Sequence, residues 1–130
     1  MSLNRSELRE KIMTILYQIN LYKTNNMNYN VDDIIKENMD VENEFVKEIV
    51  YGVMTYYDEL IKIANDNLVD WTIDRLDLTG ATILMMGLYE LKYMDTPEIV
   101  VINEALDLAN KYSSENVRKM INAVLDKVRS

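Results

Sequence analysis

The sequence predicts an all-α fold, and two observations support this. The chain of 130 residues contains only three glycines and one proline. This number is too small for the many tight turns of an all-β protein. Apolar residues recur every three or four positions along most of the chain, and this spacing places them on one face of a helix. The length is that of one domain.

The first two helices are expected at the N-terminal end. Asn4 followed three residues later by Glu7 is the pattern of a capping box, and apolar residues at helical spacing continue from it. They predict a helix over about 5–22. The polar stretch KTNNMNYN ends this helix, and the acidic pair that follows favours the start of a short helix over about 31–37.

The middle of the chain is more apolar. Residues 46–64 keep apolar side chains at helical spacing throughout and predict the longest helix of the protein. A shorter apolar segment over 68–76 follows. The stretch ILMMGLYEL is apolar nearly all round, as expected for a central buried helix. Gly87 within it is unfavourable in a helix, so close approach of another backbone is expected there.

The stretch VVINEALDLANKYS predicts a sixth element. Thr96 is suited to cap a helix whose first residue is Pro97, where the missing N–H is no loss. On a helical wheel the apolar residues cover one half, whereas Asn103 and Glu104 lie on the polar half, with Glu104 at its margin. Ser114 then begins a last helix, whose polar face carries Arg118, Lys119, Asn122 and Arg129.

Several function classes lose support from the composition. The chain has no cysteine and no histidine, which removes thiolate nucleophiles, the usual zinc ligands and the commonest general base. No glycine-rich phosphate loop is present. We therefore expect a protein that is not an enzyme and has no metal or cofactor. There is no membrane-spanning apolar run and no secretory leader, so a cytoplasmic location is expected.

Charge is distributed unevenly. The net charge is −8, yet residues 1–30 carry four basic and two acidic side chains. Residues 31–74 carry three lysines and twelve carboxylates. The acidity therefore lies in the middle of the sequence, and the first helix is free to be locally positive. The acidic run DDIIKENMDVENE lacks the glycine and register of a calcium loop and is interpreted as a solvated face.

The order and spacing of several motifs resemble those of the NusB family of bacterial transcription antitermination proteins. These motifs are ILYQ, the tryptophan followed by DRL, LYEL, the proline followed by VVINEALDLANKYS, and INAVLDKV. The resemblance implies a NusB-like fold of about seven helices in two packed helical subdomains, over about 1–65 and 66–130. It also implies pairing with NusE, a small-subunit ribosomal protein, on single-stranded boxA-type RNA in an RNA polymerase antitermination complex.

The resemblance also points to particular residues. The arginine-rich start of the family's first helix corresponds to Arg5 and Arg9, and a motif in the last helix corresponds to Lys119 and Asn122. These four are the expected RNA-binding residues. The surface facing NusE is expected to contain Tyr17, Tyr89 and Glu90.

The chain departs from the family pattern at some positions. Ser6 and Glu7 stand where the family usually has further basic residues, Met120 replaces an aromatic residue, and Met85 replaces an arginine. Each lost phosphate contact lowers RNA affinity. A second interpretation therefore stays open, in which the chain is a protein-interaction module or homodimer with weakened RNA binding.

The candidate residues have structural interpretations as well. The two arginines of the first helix are also compatible with a role in solvating that helix, and Asn122 with an ordinary exposed amide. Tyr17 and Tyr89 lie among apolar residues in the sequence, so burial in the core with only the hydroxyl exposed is an alternative.

Overall fold

The computed structural model describes residues 2–129 and within them consists of helices and their connections. In chain order the helices are α1 Arg5–Thr24, α2 Val31–Asn38, α3 Glu44–Thr55, α4 Tyr57–Asn67, α5 Leu78–Tyr93, α6 Glu98–Tyr112 and α7 Glu115–Val128, with a 3-10 helix at Ile73–Arg75. No strand occurs in this described part of the chain. The all-α prediction is confirmed.

Helix starts follow the predicted caps at both ends of the chain. The Asn4 side chain accepts a hydrogen bond from the Glu7 backbone N–H at 2.8 Å, and the Asn4 N–H donates to the Glu7 carboxylate at 3.0 Å. This is the predicted capping box. Ser114 likewise caps α7 by accepting from the Val117 N–H at 3.2 Å.

The prediction of one long helix over 46–64 is wrong. Helix α3 ends at Thr55 and α4 begins at Tyr57, with Tyr56 outside both helices at φ −103° and ψ 23°. Helical spacing of apolar residues continues across the junction because Val53 and Leu60 stand seven positions apart and are both buried. A one-residue interruption of the helix therefore does not change the spacing of the apolar residues. The longest helix is α1.

The predicted start of α6 is also displaced. The helix begins at Glu98, and its N-cap position is Pro97, which has no side-chain capping bond. Thr96 does not cap the helix, because its hydroxyl instead donates to a carboxylate oxygen of Glu90 at 3.5 Å. The polar half of this helix is as predicted, with Asn103 exposed and Glu104 half-buried at the margin.

The described chain divides into two compact units, one ending at Gly52 and the other beginning at Val53. The predicted subdomain boundary near residue 65 stays a prediction. In the first unit α1 and α2 pack together. Their buried apolar residues include Leu8, Ile12, Ile15, Leu16, Ile19, Ile34 and Ile35.

In the second unit α5 is the central helix, and it packs against α4, α6 and α7. Every residue from Thr82 to Glu90 is buried, as the apolar sequence predicts. The approach at Gly87 is by a side chain rather than the expected backbone: a Cβ there would lie 3.1 Å from the Leu125 Cδ1 atom. The glycine therefore makes room for Leu125 of α7.

Candidate nucleic-acid and partner interfaces

The two N-terminal arginines meet on one aromatic ring in the first unit. Arg5 and Arg9 lie one turn apart at the start of α1, and Phe45 lies in the first turn of α3. The guanidinium Cζ atoms lie 3.9 Å and 5.1 Å, respectively, from the centre of the Phe45 ring. At these distances a cation is attracted to the ring face. We call these three residues the arginine cluster.

The two arginines differ in exposure. Arg5 is exposed, whereas Arg9 is only 3% exposed. Among the residues that the structure describes, the Arg5 side chain makes no hydrogen bond or ion pair, so its guanidinium donors are available to a ligand. Arg5 is therefore the accessible member of the cluster, and Arg9 adds positive charge beside it.

The other predicted RNA-binding pair lies on α7 in the second unit. Lys119 and Asn122 are three positions apart on this helix, and both are exposed. Arg118 beside them is engaged by Glu115 through two hydrogen bonds of 2.7 and 3.1 Å, and this pairing lowers the pKa of the Glu115 carboxyl. The helix thus presents an ammonium group and an amide next to an internally paired arginine.

Tyr89 lies within a group of three tyrosines in the second unit. Tyr56 stacks on Tyr93 with ring centres 4.3 Å apart, and the Tyr89 ring lies 5.3 Å from Tyr93 and 6.5 Å from Tyr56. Tyr89 is 6% exposed and Tyr56 is 39% exposed. The surface of this tyrosine cluster is therefore formed more by Tyr56 than by the predicted Tyr89.

A carboxylate orders the edge of the tyrosine cluster. Glu59 accepts a hydrogen bond from the Tyr93 hydroxyl and pairs with the Lys92 ammonium group at 2.6 Å. The bond from Lys92, and then the bond from Tyr93, lower the pKa of the Glu59 carboxyl. The same bond to Glu59 raises the pKa of Tyr93 to about 12. Glu59 is therefore held as a carboxylate at the rim of the cluster.

Sequence reasoning missed Phe45, Tyr56 and Tyr93. A partial signal was present for Tyr93, because it follows Tyr89 by four positions on α5 and such residues are neighbours on a helix surface. No periodic signal connects Phe45 with Arg5, or Tyr56 with Tyr93, since these pairs come from different parts of the chain.

The remaining predicted partner residues are less accessible. Glu90 is 2% exposed, and Tyr17 on α1 is half-buried. Thr96 donates to a Glu90 oxygen at 3.5 Å, a long contact. The roles of Tyr17 and Glu90 at a partner surface stay predictions, and the burial of Glu90 leaves little of its carboxylate for a partner to reach.

Acidic side chains of the run DDIIKENMDVENE form hydrogen bonds and ion pairs within the first unit. The Asp32 carboxylate accepts a hydrogen bond from the Tyr51 hydroxyl, and Glu42 pairs with the Lys47 ammonium group. Within residues 2–129 no three acidic side chains are grouped so as to hold a metal ion. In that same range no helix combines the length and apolar character needed to cross a membrane.

Comparison with known proteins gives a consistent result. Residues 6–130 match the NusB family. The transcription antitermination protein NusB of Pediococcus pentosaceus is 37% identical over 131 residues, covering 98% of each chain.

Solved structures share the fold. That of T. maritima NusB has a TM-score of 0.83 at 24% identity and covers 98% of this chain and 91% of its own. A crystal structure of the antitermination factors NusB and NusE in complex with double-stranded RNA has a TM-score of 0.80 at 24% identity, covering 95% of this chain and 93% of that one.

Proposed function

This chain belongs to the NusB family, and we propose that it is a transcription antitermination factor that joins NusE on single-stranded boxA-like leader RNA. In this role it supports ribosomal RNA transcription within an RNA polymerase antitermination complex. The observation that carries the proposal is the exposed Arg5 guanidinium of the arginine cluster, at the place where the family resemblance expects RNA contacts.

On the RNA side, Arg5 contacts a phosphate, and the adjacent Arg9 strengthens the positive potential there. Lys119 and Asn122 on α7 contact bases or sugars through an ammonium group and an amide, which supply donors and an acceptor. Arginine suits phosphate because its planar guanidinium donates two parallel hydrogen bonds. Affinity from such contacts falls as the salt concentration rises.

On the protein side, the tyrosine cluster is the proposed surface for NusE, together with Tyr17 and Glu90. Tyrosine is enriched at protein interfaces because it combines a large apolar area with a hydroxyl. The net charge of −8 favours a basic partner. Such a partner also supplies positive charge that this chain lacks, so that the two proteins together hold RNA better than this chain alone.

The protein acts as an adaptor in the cytoplasm, where the transcription complex is found, and carries out no catalysis. The absence of histidine and cysteine from the sequence supports a role without catalysis, since these residues supply the commonest general base and the strongest side-chain nucleophile.

A second candidate function is a protein-interaction module, or a homodimer, with weakened RNA binding. Ser6 and Glu7 favour it, because they dilute the positive charge around Arg5. Sedimentation over a range of protein concentrations tests the homodimer: a monomer at every concentration argues against it.

The proposed function is tested by fluorescence anisotropy of a labelled boxA-type RNA, titrated with this protein alone and with its own NusE at two salt concentrations. We expect tighter, salt-sensitive binding when NusE is present. Arg5→Glu should weaken that binding by about tenfold or more, because it replaces a phosphate contact by a repulsive charge.

Lys23→Glu is the matched control. It makes the same charge change at the other end of α1, about 27 Å away by helix rise, beyond the distance at which exposed charges interact strongly in salt. If the wild-type protein does not bind RNA under either condition, the interaction-module function replaces the proposed one. If both variants weaken binding equally, Arg5 is not a specific contact.

A further inference from the structure

We propose that Phe45 is a positioning residue for RNA binding. Its ring holds the Arg5 guanidinium in place, so that this group is already ordered before a phosphate binds. The inference deepens the proposed function and depends on it. It assigns a role to a residue of α3 that has no charge and no hydrogen-bonding group of its own.

The geometry of the arginine cluster supports this role. Phe45 is 8% exposed, so its ring is almost completely covered. The Arg5 Cζ atom lies 3.9 Å from the ring centre, the distance of direct stacking contact, and the Arg9 Cζ atom lies 5.1 Å from it. The ring is therefore the buried support, and Arg5 is the exposed side chain that it orders.

The first expected effect of Phe45 is a gain in RNA affinity that comes from entropy. An arginine side chain has many rotamers, and ordering it when a ligand binds reduces the affinity. A guanidinium stacked on a ring in the free protein has lost part of that freedom already. Its edge, which carries the N–H donors, remains available for a phosphate while the ring occupies one face.

The second effect is electrostatic. The negative face of an aromatic ring attracts both cations. Phe45 thus attracts both guanidinium groups at the start of α1.

Two substitutions separate positioning from simple packing. Phe45→Leu keeps an apolar side chain but removes the aromatic face, whereas Phe45→Tyr keeps the face. We expect Phe45→Leu to weaken binding of the boxA-type RNA, measured with NusE present, by about two- to fivefold. Phe45→Tyr should restore most of the affinity, and circular dichroism and a urea titration should show both variants folded at the binding temperature.

A double-mutant cycle tests whether Phe45 acts through Arg5. In an Arg5→Gln background, Phe45→Leu should have little further effect on RNA affinity, because the side chain that it positions is already gone. An equal loss in both backgrounds, or no loss from Phe45→Leu in the wild-type background, overturns the inference while leaving the proposed function intact.

The stack is also measurable without RNA. In the free protein, the Arg5 side-chain N–H resonance should show an upfield ring-current shift in NMR spectra, retained in Phe45→Tyr and lost in Phe45→Leu. An absent shift overturns the inference. If the shift is present but the wild-type protein binds no RNA, the proposed function is overturned. The RNA role of Phe45 is then overturned as well, although the contact between Arg5 and Phe45 is confirmed.

Discussion

The arginine cluster and the tyrosine cluster use aromatic rings in opposite ways. In the arginine cluster one buried ring, Phe45, is the support for two cations. In the tyrosine cluster Tyr56 stacks on Tyr93 and Tyr89 lies tilted beside Tyr93, whose hydroxyl donates to the Glu59 carboxylate. The first arrangement leaves an exposed guanidinium at the surface, and the second leaves a partly exposed tyrosine, Tyr56, in a cluster whose edge carries the Glu59–Lys92 ion pair.

This difference bears on the kind of partner that each cluster suits. An exposed guanidinium complements phosphate and depends strongly on salt. A partly exposed tyrosine with an ion pair at the edge of its cluster suits a protein that presents apolar and polar side chains. The two clusters also differ in what a substitution should damage, and three predictions test this.

The largest expected effect is on stability, from the buried member of the tyrosine cluster. Tyr89→Ala removes a ring that is 6% exposed and contacts two other rings. We expect a loss of about 3–4 kcal/mol in the free energy of unfolding, measured by urea titration, since large-to-small changes at aromatic core positions cost this much.

Arg5→Ala provides the contrast, because this exposed side chain should change the unfolding free energy by less than about 1 kcal/mol. If Tyr89→Ala is as mild as Arg5→Ala, then Tyr89 is not held in the interior and the distinction between the clusters fails.

An intermediate effect is expected at the partner surface. Tyr56→Leu removes the exposed ring stacked at 4.3 Å on Tyr93 and leaves an apolar side chain. Isothermal titration calorimetry should show NusE binding weakened by about two- to tenfold, the range for loss of one aromatic pair. The affinity for RNA in the absence of NusE should be unchanged.

Tyr112→Leu is the control for that experiment, since Tyr112 is also exposed, at 46%, but lies at the end of α6. Equal weakening by both substitutions would show a general effect of losing surface tyrosines rather than a NusE contact at the tyrosine cluster.

The smallest effect is on titration behaviour. The hydrogen bond to Glu59 raises the pKa of Tyr93 to about 12, so the stability that this bond contributes is complete below the ordinary tyrosine pKa of about 10. It is lost as the pH rises from there through 12. Absorbance titration of tyrosinate should therefore show a late-ionising tyrosine that Glu59→Gln returns toward its ordinary pKa.

Tyr51 serves as the internal reference in that titration. Its hydrogen bond to Asp32 in the first unit also raises its pKa to about 12, and Glu59→Gln should leave this value unchanged. A titration curve that is identical with and without Glu59 would show that the Tyr93 bond is absent in solution.

At acid pH the same contact affects stability in the opposite direction, because here the carboxyl group of Glu59 titrates. The bonds from Lys92 and Tyr93 lower the pKa of the Glu59 carboxyl. Their contribution is therefore present above the ordinary glutamate pKa and is lost as the pH falls through the lowered value. The contact should be intact throughout the neutral range in which RNA and NusE binding are measured.

Local features of the fold were predictable. The capping box of α1, the Ser114 cap of α7 and the buried character of α5 follow from residues that are three or four positions apart, and the structure confirms each. The break at Tyr56 was not predictable from periodicity, because the apolar residues on its two sides keep the spacing of one continuous helix.

The candidate sites were predictable only in part. Arg5 and Lys119 were identified by family resemblance, and both are exposed, but nothing in the sequence distinguished the exposed Arg5 from the buried Arg9. In the tyrosine cluster the resemblance pointed to Tyr89, for which burial was the alternative interpretation; Tyr89 is buried, and the exposed Tyr56 was not identified.

By itself the sequence determined the helical fold class, the starts of α1, α2 and α7, and the location of charge, because these depend on near neighbours along the chain. The tertiary structure alone decided that Phe45 supports Arg5 and that Tyr56 covers Tyr93. The physical reason is that helix periodicity specifies which face of a helix is apolar. Which residues of another helix that face meets depends on how the helices pack in three dimensions.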